Sequence, residues 1–148
     1  MAVPLRDRTE NDFTLIGKSQ KLLAEVIRVV KCGKRFPKRQ ISTFGNPIVE
    51  DFRKLAQCIA IANQYDLYDP EERARRKAFQ DKARQYMQMA LVDVNTLAAV
   101  STQAIESLSN AVRLLDDCEK LLKGWTKSDA NRVDAKSRLE KIAATATK

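Results

Sequence analysis

Residues 31–39 read KCGKRFPKR: five cations, no acid, and a Gly and a Pro that stop a helix from running through. Ammonium and guanidinium groups at this density suit the neutralisation of phosphates. They make Lys31, Lys34, Arg35, Lys38 and Arg39 candidate nucleic-acid-binding residues. The plainer alternative is a solvated loop. A short, bent backbone holds these like charges together, however, and an arriving anion relieves their repulsion. Phe36 lies inside the run, where it either stacks on a base or ribose or anchors the loop to the core. A second group, Arg73, Arg75, Arg76 and Lys77, followed by Arg84, is a candidate for the same chemistry. Glu71, Glu72 and Asp81 can absorb part of that charge through helical i to i+4 pairs, but the run RARRK holds more cations than local acids can match. Contacts of this kind position a phosphate backbone without reading bases.

Catalytic chemistry finds little to work with. Histidine is absent, which removes the commonest general base and the commonest metal ligand. A di-metal carboxylate bundle needs Glu-x-x-His pairs, and there is no Gly-rich phosphate loop, GxSxG or HExxH. The acids Glu50/Asp51 and Glu71/Glu72 fit helix-start electrostatics, and Asp116/Asp117/Glu119 fit a solvated face. The expectation is a non-catalytic protein with no cofactor and no metal. Cys32, Cys58 and Cys118 are widely spaced and outside any CxxC, so they read as small apolar residues of a reducing compartment.

Four helical segments are expected to carry these groups. The first, about 12–32, repeats Ile16, Leu23, Ile27 and Val30 on one stripe and meets a cap at Gly33. The second opens at GNPIVEDF, with Asn46 as cap and Pro47 at the first position. Ile48, Phe52, Leu55, Ile59 and Ala62 form its stripe, flanked by enough apolar residues to predict burial against more than one neighbour, in this chain or another subunit. The third opens at DPEE, with Asp69 as cap, and uses Phe79, Ala83, Tyr86, Ala90, Val94 and Leu97. A break near 100–103 with Ser101 as cap leads to the fourth, about 102–123, ended by Gly124 with Trp125 folding back as the apolar partner of the cap. The expected fold is all-α: an up-down antiparallel four-helix bundle over 1–125, followed by a polar, basic tail over 126–148, partly helical or disordered. In such a bundle the first and third turns share one end, and Arg73 to Lys77 lie at the other.

The 148-residue chain carries 27 Lys and Arg against 19 Asp and Glu, a net charge of +8. That excess favours anionic partners: RNA, DNA or an acidic protein face. The N-terminus MAVPLRDRTENDF has no apolar leader core, and no apolar run is long enough to span a bilayer, so a cytoplasmic protein is expected.

Two stretches bring a family into view. PKRQISTFGNPIVEDFRKLAQCIAIAN resembles the second-helix region of the Avd-like proteins, small four-helix bundles grouped with the 23S rRNA intervening-sequence proteins. LLKGWTKSD, residues 121–129, resembles the same family's ending after helix four. The likeness covers about residues 18–132. The chain departs from the pattern in its longer tail, its Gly45-Asn46-Pro47 start to helix two and its polar third turn. The resemblance implies a non-catalytic accessory protein of diversity-generating retroelements, a basic homopentamer that binds a reverse transcriptase and nucleic acid, with RNA as the expected template. In a ring of subunits the cation clusters would repeat around the circumference as bands of positive potential. A purely structural bundle that meets an acidic protein partner is the alternative.

Overall fold

The computed structural model describes residues 10–147. The N-terminal stretch read above for a leader begins outside the described residues. The described chain is all-helical, with five helices and no strand among the described residues: α1 (Glu10–Ile27), α2 (Asn46–Ala62), α3 (Pro70–Val100), α4 (Thr102–Ser107) and α5 (Ser109–Ala146). None of these helices is long and apolar enough to cross a membrane.

The helices form because apolar residues recur at three and four, and each neighbour covers one such stripe. In α1 the fully buried line is Leu15, Ser19, Leu22, Val26, with Val30 just beyond. Ile16, Leu23 and Ile27, expected at the centre, are half-buried flanks. The stripe of α2 is the expected one, with Ile48, Leu55, Ile59 and Ala62 fully buried and Phe52 nearly so. Most of its wide apolar arc is covered within the chain, since α2 packs on both α1 and α3, while Ile61 stays exposed. The remaining packing joins α1 to α5 and α3 to α5.

Named contacts give the directions. Lys18 meets Asp117 at 3.4 Å and Glu25 meets Asn110, so numbers rise along α1 as they fall along α5. Asp51 faces Asp93 and Cys58 faces Lys82 in the same sense between α2 and α3. Arg76 with Asp129, and Met87 beside Leu122, do so between α3 and α5.

Two boundaries follow local chemistry. Asp69 accepts from the Glu71 amide at 3.0 Å at the start of α3, and Ser101 Oγ accepts from the Ala104 amide at 3.2 Å at the start of α4. Leu108, buried at the α4–α5 joint, makes a second break that the sequence pattern did not announce.

Two expectations are corrected. Asn46 caps nothing, because the chain before it is already coiled: a wide, π-type turn over Ile41–Gly45 runs directly into α2. Gly124 does not end a helix. Helix α5 passes through it to Ala146, so the stretch after Trp125 begins as ordered helix, and Trp125 sits in the core at 1 % exposure. No left-handed glycine cap exists among the described residues. Gly33 does follow the last residue of the first helical segment, as expected, but in an extended conformation, whereas the stop expected at Gly124 is absent.

Candidate nucleic-acid interface

The basic turn is built by departures from α geometry on either side of it. Helix α1 widens into a π-type turn over Arg28–Cys32, Lys38–Gln40 form a tight 3-10 turn, and Ile41–Gly45 widen again before α2. Gly33 is extended, with φ −82° and ψ 161°, so its value is closeness rather than handedness. A Cβ there would stand 2.8 Å from the Val29 carbonyl oxygen. Phe36 is the anchor: it is 2 % exposed and packs where a Cβ on Gly45 would come within 3.3 Å of its ring. Its ring is therefore not available to stack on a base.

Around that anchor Lys31, Lys34, Arg35, Lys38 and Arg39 are all exposed. Lys31 donates to the Asn46 side-chain oxygen, a neutral partner. None of the five forms an ion pair among the described residues. Elsewhere the cations are often matched: Lys120 with Asp116 at 3.0 Å, Lys123 with Glu119 at 3.2 Å, and Lys54 with Glu50 at 3.8 Å.

Beside the turn lies a 460 Å³ groove whose walls are Arg28, Lys34 and Arg35 on one side and Glu106, Ser107 and Asn110 on the other. The turn and the α4–α5 joint thus share one end of the molecule. Arg28 enters this groove although the sequence reading passed over it. The signal was its position three residues before Lys31 on the same helix. Arg28 is also bonded to Glu25, and that hydrogen bond holds the Glu25 carboxyl below its usual range.

The second cluster comes apart. Arg76 is corrected outright: it is 4 % exposed, and its guanidinium is held inside the protein. Nε and Nη2 donate to the two Asp129 oxygens at 2.7 and 2.9 Å, Nη1 donates to the Tyr65 carbonyl at 3.3 Å, and the group lies 4.8 Å over the Trp125 ring. Gln80 donates to Asp129 at 2.9 Å and Arg132 at 3.2 Å, so the buried carboxylate is fully engaged. The guanidinium is thus spent on partners inside the protein rather than presented at the surface.

Arg73 and Lys77 line a 280 Å³ pocket together with Leu67, Arg76, Asp129 and Val133. Arg84, seven residues beyond Lys77, stands near Glu119 and Lys123 of α5, while Arg75 is exposed on the other side of Arg76. These four remain at the surface to differing degrees and do not make one patch with the basic turn. The turn lies towards the C-terminal end of α3, and Arg73 lies near its start, about 40 Å away along a helix of this length.

The acids also sort themselves. Asp116, Asp117 and Glu119 each meet a lysine. Asp51, expected to serve the start of α2, is instead buried against Asp93, and burial followed by the Asp93 charge pushes its pKa up to about 6. Cys58 and Cys118 are buried, with the Cys118 thiol pushed up to about 12 by burial, whereas Cys32 is exposed in the basic turn. Among the described residues no group of three or more His, Cys, Asp or Glu is arranged to hold a metal ion.

Comparison with family models, curated proteins and solved structures yields no match for this chain.

Proposed function

We propose that this chain is a non-catalytic nucleic-acid- and protein-binding accessory subunit, an up-down antiparallel four-helix bundle working as a homo-oligomer in the cytoplasm. On the Avd-like resemblance the oligomer is a pentamer, and the subunit assists a reverse transcriptase of a diversity-generating retroelement by binding it and its template RNA. The observation that carries the binding reading is the basic turn, where exposed cations without ion pairs surround one buried aromatic anchor. A fixed loop of this kind loses little entropy when a phosphate backbone settles on it. The interface is Lys31, Lys34, Arg35, Lys38 and Arg39, with Arg73, Arg75, Lys77 and Arg84 as a separate, secondary surface. Arg76 drops out.

The test is a salt titration of a labelled single-stranded RNA against the full chain. Apparent affinity falls by roughly 0.7 log units per log unit of salt for each phosphate contacted. The charge reversal Arg35→Glu, Lys38→Glu, Arg39→Glu lowers both affinity and slope while leaving helicity and assembly unchanged. Wild-type affinity in that variant, or a flat salt response in the wild type, refutes the reading.

A second reading is a purely structural oligomer whose charge meets an acidic protein. It draws on Met89, Val92 and Val100, large apolar side chains exposed on α3 that a phosphate backbone would not use. Nuclease-sensitive absorbance that travels with the purified protein favours the first reading, and a complex free of nucleic acid favours the second.

A further inference from the structure

Helix α5 continues beyond the described ends of the helices it packs against. Every residue from Asp134 to Thr147 is exposed, and Leu139 and Ile142, at 67 % and 66 %, are the most exposed large apolar side chains among the described residues. They belong to a pattern. Ala135, Leu139, Ile142 and Ala146 follow at four, three and four, which puts them on one stripe.

This stripe does not continue the core-facing side. The buried residues Leu115, Cys118, Leu122, Trp125 and Asp129 extrapolate to Val133, Lys136 and Glu140. There the helix leans on the α2–α3 connection, with Lys136 Nζ 4.5 Å from the Tyr68 ring. The Leu139 stripe points elsewhere and is covered by nothing among the described residues.

Its borders are of one sign. Neighbours on a helix surface lie three or four residues apart, and those rows bring Arg132, Lys136 and Arg138 beside the stripe. Neither acid of this stretch, Asp134 or Glu140, stands at such a spacing from any stripe residue. Arg132 is paired with Asp129, whereas Lys136, lying over the Tyr68 ring, and Arg138 border the stripe with no acid paired to them among the described residues. A second copy of this face would bring the same cations against each other in a chain of net charge +8. A helical overhang of about a dozen residues is also marginal in water on its own, so covering its apolar side stabilises it.

We infer that the overhang of α5 is a docking helix for an amphipathic helix of a partner protein, one whose apolar stripe is bordered by Asp and Glu. Apolar contact at Leu139 and Ile142 supplies affinity, and Lys136 and Arg138 select the acidic partner. The surface lies outside the basic turn and stands whether or not that turn binds phosphate.

The probe is a synthetic helix of about 21 residues with Leu at the a and d positions and Glu at e and g, compared with a twin carrying Lys at e and g. Titrated against the full chain, the Glu helix binds and the Lys helix does not. Leu139→Ser with Ile142→Ser weakens binding by about tenfold or more, since two apolar side chains lose their cover. Lys136→Glu with Arg138→Glu reverses the preference towards the Lys helix. Circular dichroism checks that both variants keep the fold: Leu139, Ile142 and Arg138 are exposed, and Lys136 stacks on the exposed Tyr68 ring. Failure of the Glu helix to bind, equal binding of the two helices, or binding indifferent to Leu139→Ser and Ile142→Ser overturns the proposal. So does sedimentation showing self-association lost in that double variant, which assigns the face to a second copy. Anionic phospholipid vesicles that hold the wild type and release the double variant overturn it in favour of a membrane surface.

Discussion

The basic turn and the start of α3 look alike as strings of letters, five cations in nine residues against four in five, yet the fold treats them in opposite ways. The turn keeps all its cations in water around one buried ring. The start of α3 sends its central guanidinium into the core and leaves the rest on separate sides of the helix. What differs is the backbone beneath them. A helix commits every third or fourth residue to its buried face whatever its chemistry, so a dense run must lose a member inward unless the register avoids it. A short turn has no such obligation.

The sharpest way to test this contrast is to remove the inward member. Arg76→Met takes the bidentate partner from buried Asp129, leaving it only Gln80 and the more exposed Arg132, and stability falls by about 3 kcal/mol in urea denaturation. Adding Asp129→Leu recovers part of that loss, because it removes the under-compensated buried charge while Gln80 and Arg132 lose their acceptor. If Arg76→Met unfolds no more easily than the wild type, the two clusters are not different in kind.

The next effect concerns the outward members. Arg35→Glu, Lys38→Glu and Arg39→Glu together weaken RNA binding by about a hundredfold at moderate salt, equivalent to about 3 kcal/mol, and take about two to three units off the salt slope. Their effect on stability stays within about 0.5 kcal/mol, as befits exposed side chains. Substituting Arg76 and measuring binding in the surviving folded fraction shows no change in slope.

Asp51 sits between these cases, a buried charge without an opposite charge. Its folded pKa is raised from 3.8 to about 6, so the stability it allows is complete below pH 3.8 and is lost as pH rises through 6. Asp51→Asn removes that loss. The variant is about 1–3 kcal/mol more stable than the wild type at pH 8 and little different at pH 4. Equal pH profiles for the two proteins would mean that Asp93 and burial leave Asp51 alone.

Gly124→Ala has the smallest expected effect and turns on its sign. Nothing lies within 4 Å of a Cβ built there, and α5 continues through it, so alanine stabilises by about 0.5–1 kcal/mol in thermal unfolding. A glycine that ended the helix in the left-handed region would give a loss instead.

These results show what a chain of letters carries about this molecule. Asp69 and Ser101 were legible because a cap is a bond between residues two or three apart, and α2 was legible because its apolar spacing is regular. Arg76 was not, since the carboxylate that draws it inward is 53 positions away. Asn46 misled for a related reason: the cap signal is local, but the wide turn that precedes it is set by Val30 and Phe36 closing on Gly45. The exposed cations of the turn were legible as a cluster. Arg28 and the groove were not, because α4 and the start of α5 supply the opposite wall.

The bond between Arg76 and Asp129 also has a consequence for the order of events during synthesis. Translation delivers domains N-terminus first, so the guanidinium leaves the ribosome with its helix while its counter-ion is still unmade. Until Asp129 emerges, closing α3 into the interior would strand a bare positive charge, which holds the nascent chain open. Helix α5 then acts as a latch: the same stretch of polypeptide that completes the charge pair also brings the helix that packs on α1 and α3.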